Sequence, residues 1–295
     1  MMINSTPAIP DCPGPIADTK TPRHVTPLNA CDCHFHIFGP YDRFPLAQKR
    51  GYSPPAAPVA RYQQLMHKLG LGRCVIVQPS VYASDNRATL EAARQLNAPH
   101  DCRIVVVIDD TTTRQELQAF QQAGVRGVRL NLVAGGGPSL DLVHNVADRI
   151  ADFGWHLQIY AGSHIIAEAA DKLARLSVDL VIDHFGALAP NDAVSTDADA
   201  IVRLLEGGHC WIKLSGGYIC SASTAPWSDM TAIAQRLIRA SPDRIVWGTN
   251  WPHPVRFSAM PNDGDIIDAL HEWIDDPRIV ERILSENPAR LYGFE

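Results

Sequence analysis

The chain has 295 residues, of which 46% are hydrophobic and 20% are charged, an ordinary globular composition with enough length for a substantial core. The net charge of −6 gives no electrostatic reason to expect binding to nucleic acid or to an anionic membrane. We expect a cytoplasmic protein, because the sequence has neither an apolar run of about 18 residues nor the apolar core of a secretory signal. The seven cysteines form no CxxC pair, which is typical of reduced thiols.

Proline is concentrated at the amino terminus, where six prolines precede the first apolar pattern. We therefore predict that residues 1–29 form a flexible tail, disordered or draped over the surface, in front of one domain over residues 30–295. A second Pro-rich stretch, residues 39–58, follows the first predicted strand. A loop of this length in a compact domain is usually functional or mobile.

Short apolar, β-branched runs recur along the rest of the chain and alternate with segments of helical spacing, such as residues 86–97, 113–124, 164–176 and 229–240. This alternation predicts βα units with a parallel sheet. Eight such units within residues 30–295 fit an α/β fold of the (β/α)8 TIM-barrel type better than a doubly wound sheet. No GxGxxG or Walker motif supports nucleotide binding. The predicted strands are residues 29–38, 74–78, 103–109, 127–132, 156–161, 179–184, 210–216 and 244–250.

Polar side chains stand where most of these runs end, which is the end of a barrel that carries the chemistry. Taken singly, each has a structural explanation, such as a rim charge in an ion pair or a core polar group with its hydrogen bonds satisfied. Their convergence at one end of the barrel favours a site. The residues are His34, His36, Gln78, Ser80, Arg126, Arg129, Asn131, Tyr160, Asp183, His184, Lys213, Ser215, Asn250 and His253.

Four motifs stand out along the chain: HFH at residues 34–36, VIDHFG at 181–186, WGTNWPHP at 247–254 and the final NPARLYGF. Together they resemble the amidohydrolase superfamily, in its metal-independent branch of lactonases and galactarolactone isomerases. The likeness extends over residues 29–293 and is specific as a set, whereas HxH alone would not be. It implies a single distorted (β/α)8 barrel.

The resemblance places three histidines at the positions of metal ligands in many relatives, namely His34, His36 and His184. Where those relatives have a bridging carbamylated Lys or a Glu, this chain offers Asn131 and Tyr160, and Asn250 replaces their last Asp. Three neutral imidazoles could still hold one zinc ion. Because carboxylate ligands are absent from these positions, we expect no metal and no cofactor.

In the lactonases that this sequence resembles, an Asp at the position of Asn250 activates the water that opens the ring. An amide cannot accept a proton at neutral pH. Three explanations remain open: an engineered or decayed hydrolase, a structural hydrogen bond, or a reaction that needs no activated water. Isomerisation of a lactone is such a reaction, because a hydroxyl of the substrate itself attacks the ester carbonyl.

The resemblance thus implies an isomerase that interconverts the 1,5- and 1,4-lactones of a sugar diacid such as galactarate. The alternative is a metal-independent hydrolase of a dicarboxylate lactone such as 2-pyrone-4,6-dicarboxylate. A third hypothesis is a non-catalytic protein that binds sugar acids. In each case the partner is a small molecule, and the sequence does not indicate an oligomeric state.

As hypotheses, we assign oxyanion stabilisation to donors among His34, His36 and His184, and proton transfer to His253 or another of the histidines. Two arginines, Arg126 and Arg129, would hold a substrate carboxylate. Tyr52 lies on the Pro-rich loop, which could fold over the site and exclude water. Hydrogen bonds to sugar hydroxyls would come from Tyr52, Gln78, Ser80, Tyr160 and Asn250.

Overall fold

The computed structural model describes residues 9–133 and 140–295. Eight parallel strands lie in one sheet in chain order, so each strand pairs with the next one along the chain. The last strand returns to the first, because the amide of Asn250 donates to the carbonyl of His34 at 2.7 Å and that of His36 to Trp251 at 2.8 Å. The predicted (β/α)8 barrel is therefore confirmed. The strands are β1 (Cys31–Phe35), β2 (Arg73–Val77), β3 (Cys102–Val106), β4 (Val125–Asn131), β5 (His156–Tyr160), β6 (Leu180–Ile182), β7 (Cys210–Ser215) and β8 (Ile245–Gly248).

Helices follow the strands and cover the outside of the sheet. Local sequence sets several of their ends. Thr113 and Glu116 form a reciprocal capping box at the start of the helix Arg114–Ala123, and Gly124 ends that helix in the left-handed conformation. The helices are α1 (Val59–Leu69), α2 (Arg87–Gln95), α3 (Arg114–Ala123), α4 (Val143–Ala151), α5 (Ser163–Glu168), α6 (Ala170–Leu173), α7 (Thr196–Glu206), α8 (Gly217–Cys220), α9 (Thr231–Ala240), α10 (Asp263–Trp273), α11 (Pro277–Glu281) and α12 (Asn287–Tyr292).

The strands bury both of their faces, which explains why they read as continuous apolar runs rather than as alternating ones. A large apolar cluster packs between the strands and the surrounding helices. A second, smaller cluster joins side chains of β1, β2, β3, β6, β7 and β8 with Tyr292 and Phe294 from the end of the chain. Arg103 fixes this terminal segment by donating to the carbonyl of Tyr292 at 2.9 Å. One end of the barrel is therefore packed shut, and the opposite end is left for a site.

Within the predicted tail, residues 9–28 run along the barrel and residues 1–8 lie outside the described part. Cys12 and Ser53 are joined by a backbone hydrogen bond of 2.8 Å, and the amide of Ser53 donates to Pro10 at the same distance. Further along, Arg23 pairs with Asp268 of α10 at 3.1 Å. The segment therefore contacts both the Pro-rich loop and a helix of the barrel.

Within the described residues, no helix has the length and apolar character needed to cross a membrane.

Candidate active site

A cavity of about 390 Å³ opens at the carboxyl ends of the strands, the end that the polar side chains indicate in the sequence. Its walls come from β4, β5, α8, the Pro-rich loop and the segments after β1, β2, β6 and β8. Seven residues to which the sequence assigns a catalytic or binding role line it, as does Asn131 at the end of β4. The seven are His36, Tyr52, Ser80, Arg129, Tyr160, His184 and Asn250.

Two predicted substrate ligands lie elsewhere, and their assignment needs correction. Arg126 is three residues from Arg129 on β4, so the two side chains leave opposite faces of the strand. Its guanidinium lies near the amino end of β4, close to Gly293, and donates to a carbonyl of its own strand. Gln78 is fully buried, and its amide donates to the carbonyls of Ala83 and Asp85. Gln78 therefore holds the loop after β2 and does not face the cavity.

Beneath the cavity, the carboxylate of Asp183 is surrounded by positive and polar groups. Its oxygens lie 3.2 Å from Nε of Arg129 and 3.5 Å from Nζ of Lys213. Gln158 donates to the same carboxylate at 2.9 Å, and Nδ1 of His34 lies 3.2 Å from it. His34 is therefore placed below the cavity, in this buried cluster, rather than in the cavity wall.

The charges in this cluster do not balance. Burial alone would raise the pKa of Asp183, but His34, Lys213 and Arg129 outweigh it and hold that pKa well below its ordinary value. Burial lowers the pKa of Lys213, while Asp183 opposes this shift. Nζ of Lys213 faces three oxygens that can only accept, on Cys33, Gln158 and Asp183, as a protonated amine does. Together with Arg129 and the ionised carboxylate, the cluster therefore carries one excess positive charge at the cavity floor. Such a field favours an anionic substrate or a developing oxyanion.

The two cavity histidines are neutral at physiological pH. Burial lowers the pKa of His36 to about 3 and that of His184 to about 4. Nδ1 of His36 lies 2.7 Å from the carbonyl of Val77, and a carbonyl can only accept. His36 therefore carries its proton on Nδ1 and presents a lone pair at Nε2. It cannot donate to an oxyanion, which corrects the role predicted for it.

Asn250 occupies the cavity end of β8 and is nearly fully buried. Its φ of 61° is left-handed, a conformation that Asn tolerates better than most residues. Its Nδ2 donates to the hydroxyl of Tyr218 at 2.8 Å, and this hydroxyl lies 3.0 Å from Nδ1 of His253. His253 thus lies behind Tyr218 and does not line the cavity, so it cannot act on a substrate directly as predicted.

Tyr218 and Arg256 line the cavity although the sequence reasoning missed both. Tyr218 follows Gly216 and Gly217, and a Cβ on these glycines would come within 3.1 Å of His184 and 2.9 Å of Trp273. Gly216 also has a φ of 62°, so a side chain at either position would be strained in the turn that leads to Tyr218. The sequence SGGY directly after a buried strand was the signal available.

A divalent cation, which the histidine pattern suggests, does not fit the groups present. His34, Asp183 and His184 place possible ligand atoms within 4.8 Å of one another. However, the one carboxylate in this set already faces Arg129 and Lys213. A divalent ion there would add two charges to a cluster that already has an excess of positive charge, at high electrostatic cost in a buried site. We therefore derive no chemistry through a metal.

The sequence over residues 31–294 matches the model of a family described as "Amidohydrolase". The chain belongs to the amidohydrolase family. This match covers the whole barrel and confirms the resemblance that the motifs indicate.

Individual amidohydrolases with similar sequences carry different activities. The chain is 35% identical to a 4-sulfomuconolactone hydrolase of Hydrogenophaga intermedia, over 96% of this chain and 95% of that one. It is 30% identical to a D-galactarolactone isomerase of Agrobacterium fabrum, over 92% and 93% of the two chains. Among solved structures, a probable 2-pyrone-4,6-dicarboxylic acid hydrolase of Acinetobacter baumannii with citric acid bound superimposes with a TM-score of 0.80. That match has 27% identity and covers 90% of this chain and all of the other.

Proposed function

We propose that this amidohydrolase isomerises an acidic lactone. The acyl group would pass from one hydroxyl oxygen of the substrate to another, and the ester would not be hydrolysed. Lactone chemistry is supported by the names of its relatives, which include a sulfomuconolactone hydrolase and a galactarolactone isomerase. An acidic substrate is supported by Arg256 in the cavity wall and by the one excess positive charge of the cluster that Arg129, Lys213 and Asp183 form. The proposed substrates are the 1,5- and 1,4-lactones of a sugar diacid such as galactarate.

The observation that carries the choice of isomerase is Asn250. It stands at the cavity end of β8, where a hydrolase of this kind would have a general base, and an amide cannot take a proton from water. Intramolecular acyl transfer avoids this requirement, because the attacking hydroxyl is tethered to the carbonyl at high effective concentration. A base that activated water beside the ring would lead to the open acid instead.

The cavity residues then divide into three roles. Arg129 supplies positive charge to a substrate carboxylate or to the carbonyl oxygen of the tetrahedral intermediate. Neutral His36 accepts a hydrogen bond from a sugar hydroxyl through Nε2. Hydroxyl contacts to the rest of the sugar come from Tyr52, Ser80 and Tyr160, which line the same cavity. We propose that this chemistry needs no metal ion.

A second candidate, lactone hydrolysis, is favoured by one observation: the relative with 35% identity is named as a hydrolase. In this case a group other than Asn250 would have to activate water.

Heavy-oxygen water separates the two reactions. The enzyme is mixed with the 1,5-lactone of galactarate in ¹⁸O-water, and products are followed by proton NMR and mass spectrometry. Isomerisation gives the 1,4-lactone without solvent oxygen, whereas hydrolysis gives the open diacid with one heavy oxygen per turnover. Incorporation at every turnover would falsify the proposed isomerase.

A further inference from the structure

We propose that Tyr218, supported by His253 and Asp263, is the residue that transfers protons in this cavity. The proposal deepens the function above and rests on it for the identity of the substrate. Tyr218 lines the cavity, and its hydroxyl lies 3.0 Å from Nδ1 of His253. On the far side of the imidazole, Nε2 lies 3.2 Å from Oδ1 of Asp263. These three residues form a line from the cavity into the protein.

The line is buried along its whole length, with Tyr218 at 2% exposure, His253 at 0% and Asp263 at 1%. The contact of His253 with Asp263 has an ion-pair distance, although the ring N–H is not aligned for a hydrogen bond. A carboxylate at this depth is costly unless a positive charge compensates for it. Part of that compensation comes from the amino end of α10, where Asp263 is the first residue. When His253 takes the proton of Tyr218 during the reaction, the imidazolium that forms lies beside this carboxylate.

Donor and acceptor roles along the line follow from the chemistry of each group. The amide nitrogen of Asn250 can only donate, so it occupies one lone pair of the Tyr218 oxygen. The hydroxyl proton of Tyr218 then points to Nδ1 of His253, which accepts it when the ring carries its own proton on Nε2. A tyrosine hydroxyl has two lone pairs, and the second is left for the cavity. This lone pair is where a substrate hydroxyl can deliver its proton.

The reaction step balances without any external reagent. As the substrate hydroxyl attacks the carbonyl carbon, a C–O bond forms and the carbonyl π pair moves to oxygen. The hydroxyl proton passes to the oxygen of Tyr218, whose own proton moves to Nδ1 of His253. When the carbonyl reforms, the ring C–O bond breaks and its electron pair stays on the leaving oxygen. That oxygen takes a proton from Tyr218, and His253 returns the proton that it held.

In this relay Asn250 has a function of its own, in addition to the fact that it does not act as a base. Its Nδ2–H stabilises negative charge on the Tyr218 oxygen while the proton is in transit. A carboxylate at the same position would accept the Tyr218 proton itself and would direct it away from His253. The amide therefore fixes the direction of proton transfer.

The test uses the full-length protein with three variants and the 1,5-lactone of galactarate. Tyr218→Phe removes one oxygen, His253→Gln retains a hydrogen-bond acceptor but cannot take a proton, and Tyr292→Phe is the matched control. Tyr292 is an equally buried tyrosine in the closed end of the barrel, and its hydroxyl has no hydrogen-bond partner among the described residues. Binding is measured separately with open-chain galactarate by calorimetry.

We expect Tyr218→Phe and His253→Gln each to lower kcat by at least ~10²-fold, as the loss of general acid–base catalysis does, while galactarate affinity stays within about threefold. Tyr292→Phe should retain the parent kcat. In mixtures of H₂O and D₂O, the dependence of kcat on deuterium should be curved for the parent enzyme, because two protons move together, and linear for His253→Gln.

Three results would overturn the relay: Tyr218→Phe retaining more than a tenth of the parent kcat, loss of affinity in proportion to turnover, or parent-like turnover of His253→Gln. These outcomes do not depend on whether the lactone is isomerised or hydrolysed. Entry of solvent oxygen into the product refutes isomerisation but leaves the relay intact, since Tyr218 could equally take the proton from water.

Discussion

The replacement Asn250→Asp tests the central argument, because it restores a carboxylate with the same shape as the amide. The residue is 2% exposed and has a φ of 61°, which Asp tolerates about as well as Asn, so we expect little backbone strain. The change removes the donor to Tyr218, which is 2.8 Å away, and adds a base at the cavity wall. A positioned general base contributes ~10²–10⁴-fold, or about 3–5 kcal/mol at 1.36 kcal/mol per factor of ten.

We therefore expect the rate of ring opening to rise by at least ~10²-fold over the parent enzyme, and the rate of isomerisation to fall. The assay is ¹⁸O incorporation into galactarate, followed by mass spectrometry alongside proton NMR of the two lactones. Asn250→Ser serves as the control, because it also removes the amide but provides no base at neutral pH. It should lose isomerisation without gaining hydrolysis.

The role proposed for Asn250 is refuted if Asn250→Asp binds galactarate normally, still isomerises the lactone and incorporates no more solvent oxygen than the parent. A side chain at position 250 would then be unable to reach a water molecule beside the carbonyl. The amide would no longer favour an isomerase over a hydrolase.

Three further predictions follow from the same geometry. Arg129→Gln should weaken galactarate binding by roughly 10–100-fold, the value of a hydrogen bond to a charged group. Arg126→Gln should leave the affinity unchanged when both are measured by calorimetry. Equal losses would contradict the placement of Arg129 in the cavity and of Arg126 outside it. Burial lowers the pKa of His156 to about 3, so the folded state resists its protonation and stability is lost as pH falls from 6.5 toward 3. In denaturant titrations, His156→Leu should therefore reduce the loss of unfolding free energy between pH 8 and pH 5 by about 2 kcal/mol, and an unchanged loss would refute the shift. Prolonged treatment with a chelator should leave turnover within twofold, and loss that added zinc restores would refute the charge argument.

The barrel could be predicted because its strands are buried on both faces and therefore appear as eight separate apolar runs. Each observed strand overlaps a predicted one, although β1, β6 and β8 are markedly shorter than their runs, with five, three and four residues. In β6 and β8 the polar residues that end the runs, His184 and Asn250, have φ angles of 52° and 61°, so the extended conformation ends before them. The end of the barrel that carries the site was also predictable, since parallel strands bring their carboxyl ends together.

Which individual side chains line the cavity was harder to predict from the sequence, because this depends on strand faces and turns. Arg126 and Arg129 look equivalent in sequence, but the alternation of side chains along β4 separates them. Gln78 follows a strand as Ser80 does, yet its side-chain amide donates hydrogen bonds to two carbonyls of the loop. His253 is placed by a turn in which its amide donates to the carbonyl of Asn250 at 2.7 Å. Such turns redirect side chains in ways that spacing does not reveal.

The backbone pairing of Ser53 with Pro10 and Cys12 has a practical consequence for handling this protein. Tyr52, the neighbour of Ser53, forms part of the cavity wall, so the position of its ring depends on residues that precede the barrel in sequence. Trimming the polypeptide back to its first strand would remove the anchor of that wall while leaving every catalytic side chain in place. Kinetic constants obtained with such a shortened chain would describe a different pocket.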